Sequence, residues 1–362
     1  MVSPYAKYGI IGAIAVVIAI GVGLGVSQMS PAPSETEVKE QPSATTKTSV
    51  KAGLVMGATI DDLGWGALHY QSMKNLEKEK DFEIAYSEEV PPSEWENAAR
   101  GYAERGFKYV IMGGPQFTDV TKRIAPDYPD SIFLVTAAVP SDTPLPSNMI
   151  GVDPINEQSG YLAGILAGGM TKTDKIGIVA GMDFPNLMRM YEAFKLGAAT
   201  QNPDVEILHV YIGSFTDVVK GFEASQAHID AGADIIFQDL DRAAFGVVNA
   251  AEQKGNVFLI GNTNDQKFLA PEITLTSALM NHTAIINNVI NDIESGKLKG
   301  GEFLRWGIEE GVAGIAPYHN TEDKIPSELK QKIEGIKKQI ESGELVVPEI
   351  YEADGYKQHL TS

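Results

Sequence analysis

Residues 175–200 read KIGIVAGMDFPNLMRMYEAFKLGAAT: a short aliphatic run, a turn at 182–185, and a longer stretch of helical length. Residues 175–181 have the size and apolar content of a buried strand, and 186–200 those of a helix. The same unit recurs on both sides. Candidate strands lie at 53–58, 82–86, 108–112 and 131–136 before it, and at 205–211, 233–238 and 256–261 after it. Helical patterns alternate with them near 65–79, 93–105, 117–126, 156–171, 217–231, 242–254 and 280–295. The run Ser93-Glu94-Trp95-Glu96 predicts a capping box. Short strands alternating with longer helices predict parallel βαβ units. Two such sets, about 52–150 and 151–277, predict an α/β protein of two doubly wound lobes with a central cleft. Open parallel sheets bind ligands beyond the carboxyl ends of their strands. The loops at 59–66, 113–118, 153–158, 182–185, 212–217, 239–245 and 262–266 are therefore the places to look for chemistry.

Working outward, residues 9–26 (GIIGAIAVVIAIGVGLGV) form an unbroken run of apolar residues and glycine. At about 1.5 Å per residue a helix of this length just spans a hydrocarbon core of about 30 Å. Lys7 precedes the run and Glu35, Glu37 and Glu40 follow it, which predicts an N-inside orientation with the domain outside the cell membrane. Residues 1–27 thus read as an uncleaved transmembrane anchor. A signal peptide is the rival reading, disfavoured by the run's length and the lack of a clean small-x-small cleavage site. Residues 28–51 are rich in Ser, Thr, Pro and Glu and predict a disordered tether.

The chain has 362 residues, no cysteine and a formal charge of −19. The missing cysteine excludes thiolate chemistry, disulfides and an acylated-cysteine anchor. The acidic excess falls wholly after residue 50 and argues against a nucleic-acid partner. Six scattered histidines show no metal spacing, and no glycine cluster completes a phosphate loop. No cofactor, metal site or catalytic constellation is expected.

In the first loop, Trp65 sits between Gly64 and Gly66 and reads either as a stacking platform for a flat ligand or as a cap on the core. Asp62 reads as an acceptor for ligand N–H groups or as a helix N-cap. His69, one turn on, reads as structural. Phe215, in Gly213-Ser214-Phe215-Thr216-Asp217, could wall the opposite side of the cleft or serve as a hydrophobic staple. Asp239 and Asp241 could bind polar ligand groups or pair with Arg242.

The stretch 151–196 (GVDPINEQSGYLAGILAGGMTKTDKIGIVAGMDFPNLMRMYEAFKL), the "GSF-x-D" loop at 213–217, Asp265-Gln266 and Thr276-Ser277 resemble the basic membrane protein family, PnrA-like ABC-transporter substrate-binding proteins. The resemblance spans about 52–350. It implies a type I periplasmic-binding fold with a hinge, lobe 1 comprising 52–150 plus about 278–300, lobe 2 comprising 151–277 plus about 301–350, and a tail from 351. It implies an extracytoplasmic receptor, expected to act as a monomer, that passes a purine-like ligand to ABC permease subunits. Trp65 and Phe215 match the family's base-clamping aromatics, and Asp62 its first-loop acid. Asp153, Glu157, Asp239, Asn262 and Thr263 are the surrounding groups expected to select the ligand. Thr263 stands where an Asp, and Met280 where a Lys, would hold ribose in nucleoside binders. That departure fits a nucleobase or other flat polar ring at least as well as a nucleoside. A membrane-tethered sensor of a sugar, amino acid or signal molecule is the alternative.

Overall fold

The computed structural model describes residues 49–140 and 142–360. The expected anchor, and all but the last residues of the expected tether, lie outside the described residues. Among the described residues no helix is long and apolar enough to cross a membrane.

Among the described residues, twelve strands form two six-stranded sheets. The first contains β1 (Lys51–Val55), β2 (Glu83–Ser87), β3 (Tyr109–Gly113), β4 (Ile132–Thr136), β5 (Met149–Pro154) and β11 (Glu302–Trp306), in the order β11-β5-β4-β3-β1-β2. All its ladders are parallel. The second contains β6 (Lys175–Ala180), β7 (Glu206–Tyr211), β8 (Ile235–Asp239), β9 (Phe258–Thr263), β10 (Thr274–Met280) and β12 (Ala313–Ile315), ordered β12-β10-β9-β8-β6-β7. Only β12 runs antiparallel to its neighbour. Every residue of the inner strands β3, β4 and β8 is buried. Helices cover both faces of such strands, so they are continuously apolar rather than alternating.

Three connections cross between the lobes. The chain leaves β5 for α4 (Asn156–Met170), which packs on α5 (Pro185–Gln201) in the second lobe. It returns from β10 into α8 (His282–Glu294), which packs on α1 (Trp65–Lys80) in the first. It crosses again between β11 and β12. The lobe limits therefore differ from those expected. Residues 151–154 and 302–306 are strands of the first sheet, and 278–280 belong to the second. The edge strand β11 pairs in parallel with β5 over about 150 positions of sequence, a partnership no local pattern announces. Lys51 likewise begins β1 rather than ending the tether.

The helix of the segment 175–200 also takes part in a close helix pair. Gly160, Gly164 and Gly168 repeat every four residues along one face of α4. A Cβ at these positions would lie 2.3, 2.1 and 2.5 Å from the carbonyl oxygens of Met190, Phe194 and Ala198 on α5. Only glycine permits that approach, which places the start of α5, and the loop before it, against the cleft. The predicted capping box is absent. Ser93 lies inside a short 3-10 turn, and α2 (Trp95–Glu104) begins after Glu94 without a side-chain cap.

Candidate functional site

In both sheets the strand order reverses beside the first strand of the lobe, between β1 and β3 and between β6 and β8. Crevices at such switch points collect ligands in open α/β sheets. Here the two switch points face each other. The loops after β1 and β3 meet the loops after β6, β8 and β9 around a cavity of about 200 Å³.

Trp65 lines this cavity from the first lobe and Phe215 from the second. The Trp65 indole is held from behind: its Nε1 donates to Gly113 O at 3.0 Å, and its ring lies 4.9 Å from His69 and 4.5 Å from His282. Both histidines are fully buried. Burial holds His69 down to about 4 and His282 well below the usual imidazole range. A backbone carbonyl only accepts, so His69 Nδ1 donates to Trp65 O at 2.8 Å. Nε2 then accepts from Thr136 Oγ1 at 2.8 Å. A neutral, hydrogen-bonded imidazole therefore props the tryptophan in place. On the other wall, Phe215 packs on Gly181, where a Cβ would come within 2.3 Å of its ring. Phe184 lies 6.3 Å from Phe215, is 45% exposed and also faces the cavity.

The polar residues divide. Asp239 and Thr263 line the cavity, as does Met280. Asp239 receives hydrogen bonds from Tyr191 Oη and, at 2.6 Å, from Asn262 Nδ2. Burial raises its carboxyl above the usual range, against the pull of those two donors. Asn262 is buried and acts through Asp239. Thr263 has φ of 68°, a left-handed conformation costly for a β-branched residue.

Asp62 does not reach the cavity. Its Oδ1 accepts from Gly64 N and Ala67 N, and its Oδ2 accepts from Gly66 N. It caps the start of α1, the second of the two roles open to it. Gly66 is needed there because a Cβ would fall 2.0 Å from Thr59 O. Asp153 and Glu157 are likewise absent from the lining of this cavity and sit at the hinge. Arg189 Nη2 donates to Asp153 Oδ1 at 2.7 Å, Arg305 Nε to Asp153 Oδ2 at 3.2 Å, and Arg305 Nη2 to Glu157 Oε1 at 2.8 Å. Glu349 closes the network through both arginines. These pairs join β5, α4, α5, β11 and the C-terminal segment.

Three groups that local reading left open or missed complete the site. Asp241 lines the cavity and accepts Trp65 N–H at 3.3 Å across the cleft. A Cβ at residue 64 would lie 1.8 Å from its Oδ1, so glycine alone lets this carboxylate dock at the α1 N-terminus. Burial, then the neighbouring charges of Asp62 and Asp239, push Asp241 up to about 8. Arg242 pairs with neither nearby acid; it reaches Asp61 in the first lobe at 2.8 Å. Asn264 Nδ2 donates to Leu63 O at 3.4 Å. All three contacts bridge the lobes, so the cleft is closed. Gln116 and Asn186 also face it.

A hinged, two-lobed fold with aromatic rings on opposite walls of a closed cleft is that of a ligand-capturing binding protein. The sequence model of the Bmp family, ABC transporter substrate-binding protein PnrA-like, matches residues 49–351. The chain belongs to that family. It is 27% identical to basic membrane protein A2 of Borrelia garinii over 86% of this chain and 91% of the relative. Identity is 24% with the ABC transporter nucleoside-binding protein BmpA of Lactococcus lactis (84% and 91% covered) and 27% with a purine-binding protein of Brucella abortus (84% and 84%). An ABC transporter solute-binding protein of Aeropyrum pernix has the same fold, with a TM-score of 0.75 at 18% identity over 86% of this chain and 96% of that one.

Proposed function

We propose that this chain captures a purine-like ring, in which neither ribose nor phosphate is the recognised part, and delivers it to an ABC permease without chemical change. The supporting observation is the cavity between Trp65 and Phe215, which carries two carboxylates and, among its described lining residues, no lysine or arginine. Stacking supplies affinity, because a flat ring buries both faces at once. Asp239 and Asp241 offer acceptor oxygens to ring N–H groups, and no cation in the described lining favours an anionic ligand. Thr263 and Met280, at the positions compared with ribose partners, offer neither a carboxylate nor a cation. The ligand enters when the lobes part, and closure is selected because only then do both walls touch it.

The named relatives that bind nucleosides and purines support the same ligand class. Residues 9–26 would tether the domain at the outer face of the cell membrane as a monomer. Extraction that resists alkaline carbonate is the expected result for that anchor. The ligand reading is checked by thermal shift with adenine, adenosine, ribose and amino acids. Binding at about 100-fold excess over Kd stabilises by about 2.7 kcal/mol, so adenine should raise the midpoint by several degrees. Shifts from sugars or amino acids alone would remove the purine reading.

A further inference from the structure

The cleft does not end at the chamber between Trp65 and Phe215. A second cavity of about 330 Å³ adjoins it, and the two share Pro115 and Gln116 of the first lobe and Phe184 and Asn186 of the second. The first chamber alone is smaller than the usual ligand cleft of about 300–1,000 Å³, whereas the two joined fall inside that range. The further chamber is walled by Ala137, Ala138, Val139 and Tyr351, with the Asp153–Arg189 pair at its floor. Ala137 holds φ of 53°, a strained conformation of the kind that gathers at binding sites.

At the passage between the chambers stand two side-chain amides, Gln116 and Asn186. Neither makes a side-chain hydrogen bond to another described residue, whereas both oxygens of Asp62 are taken by backbone N–H groups and Asn262 donates to Asp239. Resting on the purine reading above, we propose that Gln116 and Asn186 are specificity-determining residues that grip an uncharged, hydrogen-bonding arm on the ring, which extends into the second chamber. An amide both donates and accepts, matching a hydroxyl or a carboxamide. A carboxylate or phosphate arm is disfavoured because the charge of Arg189 already faces the carboxylates of Asp153, Glu157 and Glu349. The remaining walls are mostly apolar and suit the arm's carbon atoms.

The test is titration calorimetry on the full-length chain. The ligands are adenine, adenines carrying a hydroxyethyl arm on the exocyclic amine or on an imidazole nitrogen, and the matching carboxymethyl compounds. One hydroxyethyl isomer should bind about tenfold tighter than adenine, the scale of one or two net hydrogen bonds, and its carboxymethyl counterpart should lack the gain. Gln116→Ala and Asn186→Ala should each shrink the ratio of armed to unarmed affinity several-fold, whatever each does to adenine itself. An advantage that persists in both variants, or an adenine that binds as well as every armed compound, overturns the proposal and leaves the purine reading standing. A wild-type chain that binds none of the compounds overturns both.

Discussion

The hinge and the cleft of this protein both bury carboxylates, and they treat them in opposite ways. At the hinge, Asp153 and Glu157 meet Arg189 and Arg305 at 2.7–3.2 Å along the shortest contacts. In the cleft, Asp239 and Asp241 face a cavity whose described lining holds no cation. Taking a charge out of water is costly unless a partner compensates it. The hinge acids have partners from distant strands and helices, which makes them structural. The cleft acids have only neutral donors, from Tyr191, Asn262 and the Trp65 backbone. Burial raises their carboxyls, as it raises that of Glu157 against its two arginines, but only the cleft acids keep acceptor capacity that faces a cavity. Acidity alone does not mark a binding residue; the absence of a built-in counter-ion does.

The largest effect should come from breaking the hinge. Arg189→Met leaves Asp153 and Glu157 buried with one guanidinium fewer, and removal of one partner from a buried network costs about 3–5 kcal/mol. Chemical denaturation would show it, and a loss below about 1 kcal/mol would erase the contrast. Phe215→Ala should act on the other side of the comparison. Truncating one stacked ring costs about 1–3 kcal/mol of ligand binding, read as about five- to 150-fold in Kd by calorimetry, with folding stability changed far less.

A smaller effect sharpens the role of Asp241. In the closed state its carboxyl is pushed up to about 8, while in an open, solvated cleft it would titrate near the usual value of about 4. The closed state therefore holds its proton more tightly, and closing takes up protons between those values. Closure should weaken as pH rises from about 4 to 8 and be insensitive to this group at lower pH. Fluorescence energy transfer between dyes on the two lobes of the ligand-free chain would follow it. Asp241→Asn should flatten the profile; an unchanged profile would assign it to another group. The smallest expected change is at the strained cleft edge. Thr263→Gly relieves the left-handed backbone and should stabilise by no more than about 1 kcal/mol in thermal unfolding.

Much of the cleft was legible in the sequence because it is built from loops, and a loop after a strand announces itself. Trp65, Phe215 and Asp239 were picked out by the loops that carry them, and Thr263 by the family resemblance; all four line the cavity. The pattern of helix and strand lengths likewise determined two doubly wound lobes. Asp62 shows where local reading divides, since a first-loop acid looks the same whether it caps a helix or waits for a ligand. Both of its oxygens are taken by backbone N–H groups within five residues, a local cap that the residue pattern alone leaves open.

The same holds for Asp153 and Glu157, whose partner Arg305 lies about 150 residues away, and for β11, an edge strand of the first sheet rather than the second. Gln116 lies in a loop that the strand pattern marked, 113–118, but neither it nor Asn186 carried a signal of its own. Their significance comes from facing one passage from two lobes. Local periodicity and turn chemistry act within a few residues of the chain, and so the sequence by itself determined which segments become strands, helices and cleft loops. Which buried charges find counter-charges, and which polar groups are left unspent beside a cavity, depends on contacts that exist only after the two sheets have closed on each other.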